Sequence, residues 1–296
     1  MNNILIIPDI HGRTFWKECI KCECDEIIFL GDYLDPYNYE GISKQDALDN
    51  FKEILKFKSD NYDKVTLLLG NHDMEYISYN LPRDRYDSKN GKEIRRLFLD
   101  NIDMFNLVTY RYIKNKFISF SHSVIGQCWI NDIKNIDNKI NSMNIIDFIT
   151  YLNDLVKSGD ERKMGNILNH IGYSRGGYDP YGSVIWADVN EALEFCWEDK
   201  EKVNKPKDID YQIFSHTQQS ELPIITKYYA CLDCRAGFLL NSEGILKNIT
   251  NNEKEFTIGK HRNKSKENLL KEINKCVCLC ANCHRKVHTG ILHLED

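Results

Sequence analysis

The chain has 296 residues, of which 42% are hydrophobic and 11% aromatic, enough to bury a core in one large domain or two smaller ones. Its formal net charge of -5 gives no overall attraction to nucleic acid. No run approaches the roughly 18 to 20 apolar residues of a membrane span, and the N-terminus lacks the basic segment of a signal peptide. We therefore expect a cytoplasmic, globular protein without membrane contact.

The first half of the chain alternates short apolar runs with amphipathic stretches. Three of the runs end in residue types that bind metals: ILIIPD, DEIIFLGD and KVTLLLGNHD. Helical patterns such as SKQDALDNFKEILKF lie between them, and strands that alternate with helices indicate a largely parallel sheet. Because ligands of such sheets bind at the carboxyl ends of the strands, we expect these polar ends to converge. Two later runs, KFISFSHS and DYQIFSHT, should deliver histidines to the same edge.

The segment 131–200 has mostly helical patterns and is interrupted by the loop GYSRGGYDPYGS. We predict that it is an inserted helical cap over the site, because segments of this kind usually set the choice of substrate. The run ITKYYACLDCRAGFLLNSEGILKNI is predicted to form β-hairpins that close a second sheet. The composition changes after this run, and we predict a boundary between a domain of residues 1–250 and a tail of residues 251–296.

The polar strand ends offer the ligands of a two-metal site, in which one residue must bridge both ions. Asp9 and His11 are two positions apart, so that on an extended strand end they would lie on the same side. Asp32 follows Gly31 at the next strand end, where glycine permits a sharp turn, and is the natural bridge. The remaining candidate ligands are Asn71, His122 and His216.

Two further candidates belong to the same turns. His72 follows Asn71 directly, and Asp35 lies one turn beyond Asp32. A carboxylate beside an imidazole keeps it protonated near neutral pH, as a general acid for a leaving alkoxide requires.

In their order and intervals, the motifs DIH, GDYLD, GNHD, SHS and SHT resemble those of the calcineurin-like metallophosphoesterase superfamily. The resemblance covers the predicted domain 1–250 and implies an α/β fold, a two-sheet β-sandwich flanked by helices. It also implies that Asp9 and His11 hold one ion and that Asp32 bridges to a second. A bridging hydroxide would then attack phosphorus in line, and His72 with Asp35 would protonate the leaving group. The ligands that it implies for the second ion are Asn71, His122 and His216.

Departures from the family pattern bear on the substrate. Gln218 stands where many members have a second metal-binding histidine. In lacking that histidine, the chain resembles the protein-phosphatase branch. The stretch LDCRAGF is similar to the closing element of the phage lambda and protein-phosphatase branch. Pro36, however, replaces the arginine that usually follows GDxxD there, which removes one phosphate clamp and makes Arg175 its candidate replacement.

The activity expected from these features is the hydrolysis of phosphate monoesters, in a phosphoprotein or a small phosphorylated compound, with two divalent metal ions. Manganese is the expected metal, and iron, zinc and nickel accept the same ligands. An alternative is the hydrolysis of diesters or dinucleoside polyphosphates by the same site. The abundance of lysine, asparagine and isoleucine indicates an AT-rich genome, and the motifs indicate a phage or viral setting.

The tail contains KCVCLCANCHRKVHTG, whose spacing suits zinc, and the eleven cysteines of the chain favour free thiols plus a metal cluster over disulfides. Over residues 253–289 it resembles the C-terminal part of HNH endonucleases, where an earlier CxxC completes the zinc site. Cys231 and Cys234 lie at about the right distance, although they also fit the closing strands of a phosphoesterase. The candidate ligands of one structural zinc are Cys231, Cys234, Cys280, Cys283, His284 and His288.

The paired histidines that supply the base of an HNH nuclease are absent from the corresponding stretch, ILKNITNNEK. A nuclease without its base should be inactive, so we interpret the tail as a degenerate remnant or a binding element. A protein that binds or nicks nucleic acid through this tail is the third hypothesis.

Overall fold

The computed structural model consists of two compact units, residues 1–260 and 261–296. The residues that it describes are 3–194, 202–219, 222–249 and 255–257. Most of the HNH-like tail lies outside them, including Cys280, Cys283, His284 and His288. The boundary at residue 251 and the zinc ligands of the tail therefore stay predictions. Within the described ranges, no helix is long and apolar enough to cross a membrane.

The strands are, in chain order, β1 (Ile4–Ile7), β2 (Glu26–Phe29), β3 (Val65–Leu68), β4 (Phe105–Asn106), β5 (Val108–Ile113), β6 (Lys116–Ser121), β7 (Leu193–Glu194), β8 (Lys202–Val203), β9 (Tyr211–Phe214), β10 (Ile224–Ile225), β11 (Tyr229–Cys231), β12 (Phe238–Leu240), β13 (Ile245–Asn248) and β14 (Glu255–Thr257). The α-helices are α1 (Trp16–Cys19), α2 (Lys44–Asp60), α3 (Asn71–Ile77), α4 (Gly91–Asp100), α5 (Gln127–Ile133), α6 (Ile145–Lys157) and α7 (Glu161–Leu168). Short 3-10 helices occur at Asn38–Glu40, Ile102–Met104, Asn138–Ser142, Tyr173–Arg175 and Val189–Ala192.

Two mixed sheets form the body of the fold. In the first, β1 to β4 run parallel, and β12, β13 and β14 continue the sheet antiparallel on the other side of β1. The second sheet has the order β10-β11-β9-β6-β5, with β6, β9 and β11 parallel. The first three apolar runs thus form the predicted parallel sheet. The two later runs, β6 and β9, lie side by side in the other sheet.

The hairpins that follow residue 222 divide between the two sheets, so their prediction is wrong in one part. β10 and β11 join the second sheet as expected, whereas β12 and β13 extend the first sheet from β1. The reason is burial: Phe238 and Leu240 of β12 share an apolar cluster with Ile4 and Ile6 of β1. Pairing with β1 covers its free edge and removes both β12 side chains from water.

The central strands are buried on both faces. In β1, Ile4 and Ile6 pack against residues of the second sheet such as Phe120, whereas Leu5 and Ile7 pack in the cluster that contains the helices. A period of two with no polar face is typical of a strand between two layers. The result is the expected α/β arrangement, two facing sheets with helices on the outer side of the first.

The helical part of the segment 131–200 packs into this same body. α6 begins after Asn144, whose side chain accepts from two backbone N–H groups of its first turn, and it packs beside β4 and β5. Its buried residues Phe148, Leu152 and Leu155 belong to the cluster of the first sheet. The part of the segment that lines the site is the loop after α7. Whether the segment is an inserted cap stays a prediction.

Candidate active site

The turn after β1 brings Asp9 and His11 together by a route that differs from the prediction. The strand ends at Ile7, and His11 has a φ of 43°, in the left-handed region, instead of continuing an extended strand. The backbone N–H groups of Ile10 and His11 donate to the carbonyl oxygen of Asp32 at 3.1 and 2.6 Å. These bonds turn the chain back towards the end of β2.

The ends of β2 and β3 are held together by a carboxylate that sequence reasoning missed. Asp73, the last residue of GNHD, accepts from the N–H groups of Asp32, Tyr33 and Gly70 at 2.7, 2.9 and 2.9 Å. The side chain of Asp73 is fully buried. It holds the turn in which Asp32 has a φ of 52°, in the left-handed region that few non-glycine residues adopt.

Two glycines allow these turns to approach each other. Gly31 has a φ of 107°, and a Cβ there would lie 2.5 Å from the nitrogen of Gly70. A Cβ on Gly70 would lie 2.1 Å from Oδ1 of Asp32 and 2.7 Å from Cε1 of His122. Contacts this short do not occur for real Cβ atoms, so the GD and GN motifs need glycine for close packing.

The first candidate metal position lies between the turn after β1 and Asp32. Nδ1 of His11 donates to the carbonyl oxygen of Leu34 at 3.0 Å, which leaves Nε2 with a free lone pair. Nε2 lies 3.4 Å from Oδ2 of Asp32 and 3.9 Å from Oδ2 of Asp9. Burial lowers the pKa of His11 well below its ordinary value, so that its imidazole is neutral and free to coordinate.

The second position is built across both sheets. Nδ1 of His122 donates to the carbonyl oxygen of Leu30 at 2.9 Å, and its Nε2 therefore points inward as an acceptor. That Nε2 lies 3.1 Å from Oδ1 of Asn71, 3.1 Å from Nδ1 of His216 and 3.5 Å from Oδ2 of Asp32. Burial lowers the pKa of His216 well below its ordinary value, so this imidazole is neutral as well.

Asp32 lies between the two positions. The sets Asp9, His11, Asp32 and Asp32, His122, His216 each have their ligand atoms within 4.8 Å of one another, and Asp32 belongs to both. Burial opposes the ionisation of Asp32, but the imidazoles of His122, His72 and His11 outweigh it and lower its pKa to about 2. The donor set of carboxylate, amide and imidazole groups suits two divalent cations. The structure thus brings together all six predicted ligands.

The family of the chain follows from its sequence. The family model of calcineurin-like phosphoesterases matches residues 3–220, which include the six converging residues. The chain belongs to this family. No curated protein matches it.

Two phosphatases are among the solved structures to which this chain is similar. A cold-active protein-tyrosine phosphatase from a psychrophilic Shewanella species has a TM-score of 0.52 and 13% identity, over 87% of this chain and 80% of that one. A protein serine/threonine phosphatase from Saccharomyces cerevisiae has a TM-score of 0.48 and 13% identity, over 88% of this chain and 82% of that one. At such low identity the Shewanella likeness concerns the fold alone.

Beside the six ligands, His72 faces two carboxyl groups. Its Nδ1 lies 3.2 Å from Oε1 of Glu75 and 3.6 Å from Oδ2 of Asp35, so the predicted partner is present and a nearer one was missed. Burial raises the pKa of Glu75 to about 9, which leaves it uncharged near neutral pH. Burial opposes protonation of His72, but Asp32, Asp35 and Glu75 outweigh it and hold its pKa well above the ordinary value. Glu75 lies one helical turn beyond His72 in α3, a spacing that could have indicated the contact.

A cavity of ≈ 260 Å³ opens onto these groups. Its walls include the predicted Arg175 and three residues that sequence reasoning missed, namely Tyr37, Arg85 and Trp186. Arg175 donates from Nη2 to the carbonyl oxygen of His216 at 3.0 Å and to Oγ1 of Thr217 at 2.8 Å, and its Nε lies 3.0 Å from Oδ2 of Asp188. It reaches the site, where its Nη2 is bonded to protein groups and its charge is paired with Asp188.

Gln218 is directed to the surface, where its Nε2 lies 3.4 Å from the hydroxyl of Tyr39. Next to Asp9, the hydroxyl of Ser215 donates to Oδ1 at 2.5 Å, and the side chain of Asp233 is buried. Burial and the neighbouring Asp9 raise the pKa of Asp233 well above its ordinary value. Sequence reasoning missed both residues.

The contacts of Cys231 and Cys234 favour the reading in which both belong to the closing strands. Cys231 ends β11 and donates from its thiol towards the carbonyl oxygens of Ser215 and Thr217, each at 3.4 Å. Cys234 is buried in the apolar cluster between the sheets, a different cluster from that of Cys231. Burial raises the pKa of both thiols to about 12. Their role as zinc ligands stays a prediction.

Proposed function

We propose that this chain is a two-metal-dependent phosphomonoesterase that acts on a phosphoprotein or a small phosphorylated compound. The observation that supports this proposal most directly is the set of acceptor atoms at the second candidate metal position. The proton of His122 lies on Nδ1, so its Nε2 is an acceptor, as are Oδ1 of Asn71 and Oδ2 of Asp32. These three acceptors meet Nδ1 of His216, which is the one atom of the four that could carry a proton. A divalent cation satisfies every one of these lone pairs.

Asp9 and His11 would hold one cation, and Asp32 would hold both. The residues that would complete the second site are Asn71, His122 and His216. When bound, such cations supply Lewis-acid stabilisation of the phosphoryl oxygens and a hydroxide nucleophile at neutral pH. Mixed oxygen and nitrogen ligands suit manganese, and iron, zinc and nickel are the alternatives to be tested.

His72 is the proposed general acid. Its Nδ1 faces Asp35 and Glu75, and the opposite ring nitrogen, Nε2, is within reach of Arg85 on the cavity wall. The carboxylate of Asp35 stabilises the imidazolium, which holds a proton at Nε2 for the departing alkoxide oxygen. Tyr76 orients Asp35 by donating from its hydroxyl to Oδ1 at 2.7 Å.

Several features support a monoester as substrate. The guanidinium of Arg85 lines a cavity of ≈ 260 Å³. A terminal phosphate with two negative charges needs more positive charge than a diester does. Gln218 replaces the second histidine found in many other members of the family and turns to Tyr39.

The test is turnover by the metal-free full chain after it is loaded with manganese, iron, zinc, nickel or magnesium. The substrates are aryl and alkyl phosphate monoesters, a phosphopeptide, a bis-aryl diester, a dinucleoside polyphosphate and supercoiled plasmid. We expect monoesters to be hydrolysed at least about a hundredfold faster than the diester. Preferred cleavage of the diester or the polyphosphate would contradict the proposal and establish the alternative class, and plasmid nicking that survives Asp32→Asn would place a nuclease in the tail.

For the tail, we propose one structural zinc held by Cys280, Cys283 and two further ligands. The support is the spacing of cysteines and histidines in the sequence. The candidates for the two further positions are Cys231 with Cys234, or His284 with His288.

A further inference from the structure

Arg85 belongs to the loop between α3 and α4, and this loop is anchored without the help of its guanidinium. Nζ of Lys44 donates to the carbonyl oxygens of Arg85 and Tyr86, both at 2.8 Å, and the N–H of Asp84 donates to Oε2 of Glu75 at 2.7 Å. The backbone of Arg85 has a φ of 58°. These bonds hold the backbone of the loop in place. The guanidinium of Arg85 is therefore not needed to anchor the loop.

The guanidinium lies inside the cavity of the proposed site. Its Cζ is 3.8 Å from the centroid of the Tyr37 ring, and its Nη2 lies 2.8 Å from Nε2 of His72. Its Nη1 is buried and has no hydrogen-bond partner among the residues that the structure describes. A buried, charged donor without an acceptor is costly, and two donors on the same face of a guanidinium fit two oxygens of one phosphate.

We propose that Arg85 is the phosphate-binding residue of this site, and that its guanidinium passes from His72 to the phosphoryl oxygens when substrate binds. The proposal rests on the proposed function and names the residue that replaces the arginine missing at Pro36. Tyr37 directly follows that proline, so its ring holds Arg85 near the place that the missing guanidinium would reach.

The contact between Arg85 and His72 places phosphate binding beside the proposed acid. Nη2 of Arg85 lies 2.8 Å from Nε2 of His72, the ring nitrogen proposed to face the leaving-group oxygen. Movement of the guanidinium to the phosphate therefore leaves Nε2 open to that oxygen.

Arg175 has a different role on this reasoning. Its Nη2 donates to the carbonyl oxygen of His216 and to Oγ1 of Thr217, and its charge is paired with Asp188. It positions the turn that carries His216, and Arg85 holds the phosphate.

The experiment measures the binding of inorganic phosphate to the manganese-loaded full chain by calorimetry. Arg85→Met should weaken phosphate binding by about 10- to 100-fold, the usual contribution of charge-assisted hydrogen bonds to affinity. The matched control is Arg83→Met in the same loop, whose exposed guanidinium stacks on Tyr79 and Tyr86. It should change binding by less than about twofold, as expected for a surface position. Equal binding by Arg85→Met and the wild type, equal losses in both variants, or no phosphate binding by the wild type would overturn the proposal.

Two further readouts separate this role from a structural one. Arg85→Lys keeps the charge without the fork and should bind phosphate with intermediate affinity, and added guanidinium ion should restore part of the monoester turnover of Arg85→Ala. Failure of both would also overturn the proposal. If the wild type binds phosphate through Arg85 but hydrolyses no monoester, the proposed function fails and this inference stands. If instead the wild type hydrolyses monoesters and Arg85→Met does so with an unchanged KM, the proposed function stands and this inference fails.

Discussion

Nε2 of His122 lies 3.1 Å from Nδ1 of His216, although the two residues leave different strands and are 94 positions apart in the chain. The two rings approach edge to face, with centroids 4.9 Å apart. Their nitrogen atoms therefore point at one place, which His122 reaches from β6 and His216 from β9. Neighbouring parallel strands make this possible, because both end at the same edge of the second sheet.

This relationship predicts how metal stabilises the protein. Each manganese ion at 100 times its Kd should raise the free energy of unfolding of the wild type by about 2.7 kcal/mol. His122→Asn should lose most of the gain that comes from the second ion, since it removes a ligand nitrogen. His170→Asn is the control, because His170 lies outside the site and contacts the carbonyl oxygen of Asn166. Thermal unfolding with and without chelator measures the effect, and equal stabilisation of the two variants would exclude His122 as a ligand.

A second prediction concerns the two carboxyl groups beside His72. Glu75 is uncharged near neutral pH, so Glu75→Gln should keep turnover within about tenfold of the wild type. Asp35→Asn removes the charge that stabilises the imidazolium and should cost about as much as His72→Asn, roughly two to four powers of ten. Steady-state rates for alkyl phosphates test this difference. All losses should shrink for aryl phosphates, whose leaving groups need little protonation, and equal losses for both substrate types would remove His72 from the acid role.

The sequence predicts the convergence of the six ligands because each follows a short apolar run, and strand ends of an α/β fold meet at one edge. It does not predict the groups that complete the site. Arg85 comes from a loop without a recognisable pattern, and its role depends on the stacking with Tyr37, 48 positions earlier. Asp73 acts through backbone N–H groups of distant turns, which leave no trace in residue spacing.

The sequence also does not predict which sheet β12 joins. Its three consecutive apolar residues fit either sheet, and the free edge of β1 decides between them. Local patterns determine that a strand forms, whereas its partner depends on which edge the rest of the fold leaves uncovered.

Asp73 supports a stability prediction. Asp73→Ala removes one carboxylate that accepts from three buried N–H groups, and it should lower the free energy of unfolding by about 3 kcal/mol or more. The matched control is Asp46→Ala in the exposed capping box of α2, which should cost about 1 kcal/mol or less. Urea unfolding of the metal-free protein measures both values. A smaller loss for Asp73→Ala than for Asp46→Ala would show that the bonds to Asp73 do not hold the turns.

The thiol contacts predict the outcome of zinc analysis. Cys231 donates to backbone carbonyl oxygens inside the phosphoesterase body, so Cys231→Ser should leave the zinc content of the full chain unchanged. Cys280→Ser should lower it, because that residue lies in the proposed zinc-binding tail. Metal content after removal of weakly bound ions measures the difference. Loss of zinc in both variants would instead show that the CxxC at residue 231 completes the tail site.

The most direct measurement is anomalous X-ray scattering from a crystal of the full chain soaked with manganese. We predict two manganese peaks that share Asp32 as a ligand. The first should be coordinated by Asp9 and His11, and the ligands of the second should be Asn71, His122 and His216. In a crystal of Asp32→Asn, the occupancy of at least one peak should fall, because a neutral amide bridges two cations poorly. A single peak, or two peaks that persist unchanged in Asp32→Asn, would contradict the two-metal site.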